Sequence, residues 1–253
     1  MSFLIGADPE LFLVRNQKFI SSIGLIGGSK EMPLPIGEGC SIQEDNVAVE
    51  FNIPPCQNAE AFQKSIEYTL KHLEDKIKDF ELKFSPVASA VFDSDQLDNP
   101  MAQQFGCEPD FNAWSGRRNP RPKADNKSLR SAGGHVHVGA PELNKRDLIK
   151  AMDLFLGVPS IKLDPDTKRR ELYGKAGCYR PKSYGVEYRT LSNFWIWDKK
   201  LIDWVYHQTS KAVQFVKDGH KLSDEDGDLI QSCINTNNLD LYQQLTEKYQ
   251  GAF

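Results

Sequence analysis

Four short stretches of the chain place ionisable residues inside apolar, strand-like runs, two positions apart wherever there is a pair. They are Asp8 and Glu10 in GADPELFLV, Glu50 in NVAVEFNI, His135 and His137 in GGHVHVG, and Glu187 and Arg189 in YGVEYRTL. A strand turns successive side chains to opposite faces, so residues two apart share one. In HVHV both imidazoles point one way and Val136 and Val138 the other; in VEYRT, Glu187 and Arg189 face together, opposite Val186 and Tyr188. Singly, each stretch also resembles the wet face of a half-buried antiparallel strand, where Lys or Thr would serve. With the strands as sheet neighbours, three or four carboxylates, a His pair and an Arg converge on one face. Carboxylates suit hard cations and a guanidinium suits phosphate, so this face is a candidate metal–nucleotide site.

At 253 residues the chain is long enough for a full hydrophobic core. Its net charge of −4 gives no global bias toward nucleic acid or membrane. No apolar run approaches the roughly 20 residues that cross a bilayer, so no membrane partner is expected. The start, MSFLIGADPE, turns acidic at once and does not read as a signal peptide. Five scattered cysteines (Cys40, Cys56, Cys107, Cys178, Cys233) form no CxxC pair, against structural zinc or a disulfide framework. A cytoplasmic setting is the expectation.

The pattern predicts strands over residues 3–14 and 43–53, the latter with Val47, Val49, Phe51 and Ile53 on one face and Asn46, Ala48, Glu50 and Asn52 on the other. Asn58 caps a helix of about 59–80 with an apolar stripe of Phe62, Ile66, Leu70, Leu73, Ile77 and Phe80. A β-like run from Leu82 to Phe92 follows, then a long loop over 106–132 and the GGHVHVG strand. Asn144 caps a helix through about Leu156 with Asp147 in its first turn. A polar segment, 160–185, leads to VEYRTL. Asp198 caps a helix to about Lys217 that buries Leu201, Ile202, Val205, Ala212, Val213 and Val216. Two short helices complete the end. The fold class expected is α+β, an antiparallel sheet carrying the site on one face with helices on the other. Residues 1–253 are read as a single domain whose helical part is about 198–253.

Two basic clusters flank the HVH and VEYR strands. Residues 117–130 carry Arg117, Arg118, Arg121, Lys123, Lys127 and Arg130 against Asp125; residues 168–182 carry Lys168, Arg169, Arg170, Lys175, Arg180 and Lys182 against Glu171. Gly174 and Gly177 in the second would let backbone approach a ligand closely. Nucleic acid is the rival ligand, but no nucleic-acid-binding signature accompanies the clusters. GLIGGSK at 24–30 lacks the GxxxxGK[ST] spacing, and GxSxG and HExxH are absent. His72 and His207 fall in predicted helices, His220 in a loop, and Trp195, Trp197 and Trp204 read as core.

The ordered series DPE, VEFN, GGHVHVG and the Arg-rich stretch ending in EYR resembles the glutamine synthetase and glutamate–cysteine ligase superfamily. GADPELF, QEDNVAVEFN, DFNAW, GGHVHVG and YGKAGCYRPKSYGVEYRT together look like the small phage-encoded carboxylate–amine ligases of that group, over roughly residues 4–195. The resemblance implies a glutamine synthetase-like catalytic domain. Its metal ligands would be Asp8, Glu10, Glu50, His135 and Glu187. Arg169 or Arg170, with Lys175, Arg180 and Arg189, would bind phosphate, and Arg189 and Glu50 would be catalytic. Asp45, Asn46, His137 and Tyr184 are expected on the substrate side. In the D-P-E pair, Pro9 lacks a ladder donor, which predicts an edge or bulged strand. The second carboxylate before Glu50 has two candidates, Glu44 and Asp45.

What the resemblance implies is ATP-dependent amide or isopeptide formation through an acyl phosphate. Two or more Mg²⁺ or Mn²⁺ ions would assist, since oxygen-rich ligands with one His suit these better than zinc. The substrates would be a small-molecule or peptide carboxylate and an amine, in the host cytoplasm if the protein is phage-encoded. The alternatives are a metal-dependent hydrolase using His135 and His137, and a nucleic-acid or partner-binding module using the basic clusters.

Overall fold

The computed structural model describes residues 3–103, 110–120 and 126–251; Cys107, Arg121, Lys123 and Asp125 lie outside the described residues. In chain order the strands are β1 (Leu4–Arg15), β2 (Lys18–Ile20), β3 (Leu34–Gly37), β4 (Cys40–Asp45), β5 (Ala48–Asn52), β6 (Lys83–Ser85), β7 (Ser89–Val91), β8 (Phe111–Asn112), β9 (Leu129–Ser131), β10 (Gly134–Gly139), β11 (Cys178–Lys182) and β12 (Gly185–Tyr188). The helices are α1 (Ala59–Ile77), α2 (Pro100–Gln103), α3 (Lys145–Met152), α4 (Val158–Leu163), α5 (Lys168–Leu172), α6 (Lys199–Lys217), α7 (Asp224–Thr236) and α8 (Leu239–Lys248). The main sheet runs β3-β4-β5-β1-β10-β12-β11-β8, with β2 and β6 also paired to β1, while β7 and β9 form a separate ladder. Every pairing is antiparallel. The molecule is α+β.

The period-two pattern explains which face the helices cover. Leu11, Val49, Phe51, Val136, Val138, Val186 and Tyr188 form one core with Phe62 and Ile66 of α1, Leu148 and Ile149 of α3, and Ile202 and Val205 of α6. Burying each such side chain stabilises by about 1.5–3 kcal/mol, so a one-residue register slip, which would turn this set outward, is strongly disfavoured. The opposite face is left to the ionisable residues. Asn58 and Asp198 cap α1 and α6, accepting from the backbone N–H of Ala61 and Lys200. Trp195 is fully buried and stacks on Phe62 at 5.9 Å. Among the described residues no helix is long and apolar enough to cross a membrane.

Several expectations are corrected. The run 43–53 is a hairpin: β4 and β5 meet at a two-residue turn where Asn46 adopts φ 57°, a left-handed conformation Asn tolerates. Val47 therefore leaves the face of Val49 and Phe51 and packs with Phe12, Ala90 and Phe92. The run 82–92 divides into β6 and β7, which join different sheets. The helix from Asn144 does not end near Leu156, because a π-helical turn over Asp153–Gly157 passes it on to α4. The polar segment 160–185 contains α5 and β11. Strand β1 is central, not an edge, and its pairs with β10 and β5 show no register shift. Pro9 is accommodated because it ends the β10 ladder, while β5 pairing begins at Glu10.

Candidate active site

Residues directly opposite in a ladder share a face, and here the register sets one row across six strands. Gln43 lies opposite Glu50 and Glu50 opposite Glu10. Asp8 lies opposite His135, His137 opposite Glu187, and Glu187 opposite Arg180. The row lines a cavity of about 670 Å³, with Arg130, Arg169, Tyr173 and Arg189 also in its wall. The two sites that compact folds most often keep for ligands, a large concave pocket and a cluster of buried titratable groups, coincide here.

The acids form two groups. Asp8, His135 and Glu187 offer ligand atoms all within 4.8 Å of one another, and so do Glu10, Asp45 and Glu50. Asp45, one of the two candidate carboxylates before Glu50 and a residue expected on the substrate side, thus stands with Glu10 and Glu50. Glu44 points elsewhere, accepting the N–H groups of Gly24, Ile26 and Gly27 at 2.8–3.0 Å. Asp8 Oδ1 is 2.9 Å from His137 Nε2 and 3.4 Å from His135 Nδ1. Both Asp8 Oδ1 and His137 Nε2 are nevertheless buried without a hydrogen bond of acceptable direction. Carboxylate oxygens with an imidazole, two of the oxygens (Asp8 Oδ1 and Glu187 Oε2) buried without a well-directed hydrogen bond, fit a hard divalent cation.

Electrostatics separates the two groups. Burial and the Asp8 charge would raise the Glu187 carboxyl, but Arg189 and Arg180 override them and hold it at about 2. Arg189 bonds its Oε1, Arg180 reaches the same oxygen at 3.2 Å, and Lys182 Nζ lies 2.8 Å from Oε2. Burial would also raise Asp8, yet His137 and His135 hold it well below the usual range. His135 is pushed down to about 3 by burial and Arg189, so its ring is neutral at physiological pH, as a ligand must be. In the second group burial and like charge outweigh the favourable partners. Burial and Asp45 lift Glu10 to about 7 against Arg189 and the Gly133 N–H. Burial, with Asp8, Asp45 and Glu10, lifts Glu50 well above its ordinary value. A cation among these acids would supply the missing counter-charge.

The remaining candidates divide. Arg189 and Arg180 join the site; Arg189 also lies 3.4 Å from His135 Nδ1, and its Nε 3.8 Å from Asp110. Arg169 is buried in the cavity wall, but its Nη atoms donate to the carbonyls of Thr190 and Arg189 at 3.1 Å. Arg170 turns away to Asn237, Ser160 and Asp164. Lys175 is exposed and lines no part of the cavity. Tyr184 sits outside the cavity wall, bonded to His137 Nδ1. Asn46 lines the cavity, but its side chain also ties Met101 and Arg130. Of the first basic cluster, Arg117, Arg118 and Lys127 are exposed, and Arg130 donates to the carbonyls of Lys127, Leu129 and Ala102. Two residues not singled out by pattern belong to the row. Gln43 donates to Glu50 Oε2 at 3.1 Å, and Lys182, a member of the second basic cluster, pairs with Glu187 Oε2. The alternation Gln43, Asp45 was the available signal for the first, and Arg180, Lys182 for the second.

Residues 127–247 match the family model described as Phage phiEco32-like COOH.NH2 ligase-type 2. This is the family that the motifs resemble. The matched span contains β10, β11 and β12, and so His135, His137, Arg180, Glu187 and Arg189. Asp8, Glu10, Asp45 and Glu50 lie before it, and they reach the site only through the β1–β10 and β1–β5 ladders. No curated protein matches the chain.

Proposed function

We propose that this protein is an ATP-dependent carboxylate–amine ligase with a glutamine synthetase-like catalytic fold, forming an amide or isopeptide bond through an acyl phosphate. The observation that carries the reading is the pairing, in one cavity, of two acid groups with buried guanidinium groups. A hydrolase needs no such phosphate-directed cations, and a nucleic-acid surface would be repelled by the acids.

Asp8, His135 and Glu187 would hold one Mg²⁺ or Mn²⁺, and Glu10, Asp45 and Glu50 another. Bound there, such ions neutralise a triphosphate and polarise its terminal phosphoryl group. Arg189, with Arg180 and Lys182 behind it, presents fixed positive charge to phosphate oxygens. As the substrate carboxylate attacks the terminal phosphorus and ADP leaves, Arg189 stabilises the charge on the moving phosphoryl group. The amine then displaces phosphate from the acyl carbon. Gln43 orients Glu50 beside that centre, and Asn46 borders the cavity where a substrate group would lie. Tyr184 acts through His137.

Thermal melting with ATP and Mg²⁺ tests the reading. Together they should raise the melting temperature by more than the sum of their separate effects. The proximity of His137 Nε2 to Asp8 favours one rival, a zinc hydrolase built on His135, His137 and Asp8. A response to zinc or chelator alone, with none to ATP and Mg²⁺, would establish that rival instead. An ADP-release screen over pooled amines and carboxylates, with mass spectrometry of products, then identifies the substrates.

A further inference from the structure

Asp153 is fully buried in the apolar layer on the helix side of the sheet, away from the cavity. It opens the π-helical turn between α3 and α4, a kind of insertion that recurs near functional sites. Its Oδ1 accepts from the Tyr188 hydroxyl at 2.9 Å and its Oδ2 from Trp114 Nε1 at 2.7 Å, while the Thr190 hydroxyl, 3.3 Å from Oδ1, shares its one proton with the Lys175 carbonyl at 3.0 Å. A carboxylate in such a layer is costly unless it is hydrogen-bonded. Leu or Met would fill the space at lower cost, so its partners are the clue. Tyr188 and Thr190 are the two neighbours of Arg189. The turn even leaves room for the contact, since a Cβ on Gly157 would meet the Tyr188 hydroxyl at 2.8 Å.

Strand β12 ends at Tyr188, so sheet pairing alone does not direct the Arg189 side chain. Three tethers do. The Arg189 N–H donates to the Cys178 carbonyl at 2.9 Å. From the cavity side, Arg169 donates to the carbonyls of Arg189 and Thr190. From the helix side, Asp153 holds the side chains of Tyr188 and Thr190. The segment is thus gripped from both faces of the sheet.

We infer that Asp153 is a positioning residue: it fixes the Arg189 guanidinium against Glu187 and thereby shapes the Asp8–His135–Glu187 group from behind the sheet. What the pair does rests on the ligase reading; where it is held does not. The test uses the full chain and nitrogen-15 NMR of the Arg189 guanidinium, assigned by its loss in R189K. In the parent, restricted rotation should give separate Nη signals. In D153L, which leaves no acceptor at that position, and more weakly in Y188F, these signals should merge. A folded D153L with the parent's Arg189 spectrum would overturn the proposal. If D153L does not fold, Y188F decides, since it removes one hydroxyl and no charge. A Mn²⁺ titration of the same samples should show at least about tenfold weaker binding in D153L, as for loss of other supporting partners of metal ligands. A parent that binds no Mn²⁺ would overturn the metal-site reading, and the Arg189 spectra would still judge the positioning.

Discussion

Glu187 is fully buried with Arg189, Arg180 and Lys182 around it, so its replacement has two separable consequences. Glu187→Gln keeps the shape but leaves three cations facing a neutral amide. Removing one partner of a buried ion pair costs about 3–5 kcal/mol, and urea unfolding should show a loss of that order. The folded fraction should also lose ATP–Mg²⁺ binding. Calorimetry with affinity equal to the parent's would remove Glu187 from the ligands. Arg189→Lys separates roles in a different way. The planar fork matches phosphate oxygens, whereas an ammonium is a single compact charge. If Arg189 grips the moving phosphoryl group, ATP affinity should hold while ADP release falls about 10²-fold, the cost of one oriented donor. Near-equal turnover at equal melting temperature would leave Arg189 as a structural partner of Glu187 only.

At the scale of elements, the approach to β10 shows how backbone and site are coupled. Gly133 donates its N–H to Glu10 Oε2 and accepts from the Glu10 N–H at 2.9 Å, joining the start of β10 to β1. A Cβ on Gly133 would lie 2.1 Å from His135 Nε2, so the ring occupies the space a side chain would need. Gly133→Ala should displace His135 from the Asp8–Glu187 group and weaken Mn²⁺ binding by about tenfold or more. Isothermal titration checks this; unchanged affinity would mean that His135 is not a ligand. The β4–β5 hairpin does the equivalent for the second group, since its register sets Gln43 opposite Glu50 and leaves Asp45 two residues along on the same face. The α3–α4 junction serves the far side of the sheet by presenting Asp153 to Tyr188.

For the whole molecule, raised and lowered carboxyls set the response to pH. Glu10 and Asp153 both lie at about 7 in the folded state, burial being the first cause in each. A raised carboxyl makes the folded state bind more protons than the unfolded chain between the ordinary value, near 4, and 7. Stability therefore falls as pH rises through that window and levels off above it. Glu187, held at about 2, works in the opposite sense: its contribution is present above its ordinary value and lost as pH falls toward 2. The metal-free protein should be most stable in mildly acidic solution, with a urea midpoint that declines from about pH 5 to 8. Mg²⁺ or Mn²⁺ should flatten the decline, because ion binding competes with the protons on Glu10 and Glu50. A metal-free midpoint that rises across this range would contradict the raised carboxyls of Glu10 and Asp153.

Local periodicity made several strands readable, together with the inward residues of each: Asp8 and Glu10, His135 and His137, Glu187 and Arg189. It also made α1 and α6 readable through their caps and apolar stripes. These follow from the two-residue repeat of a strand and the 3.6-residue repeat of a helix, which act within a few residues. Strand order and register act across the chain, and they decided the rest. Only the β1–β10 ladder sets Asp8 against His135, and only the turn at Asn46 brings Asp45, not Glu44, to Glu10 and Glu50. Arg169 and Arg170 are neighbours of one residue type in one cluster, but a helical turn sends the first to the cavity wall and the second to Asn237. The patterns told which side chains would share a face. Which of them meet, and which acids are left without a counter-charge, depended on pairings between distant segments that no local pattern encodes.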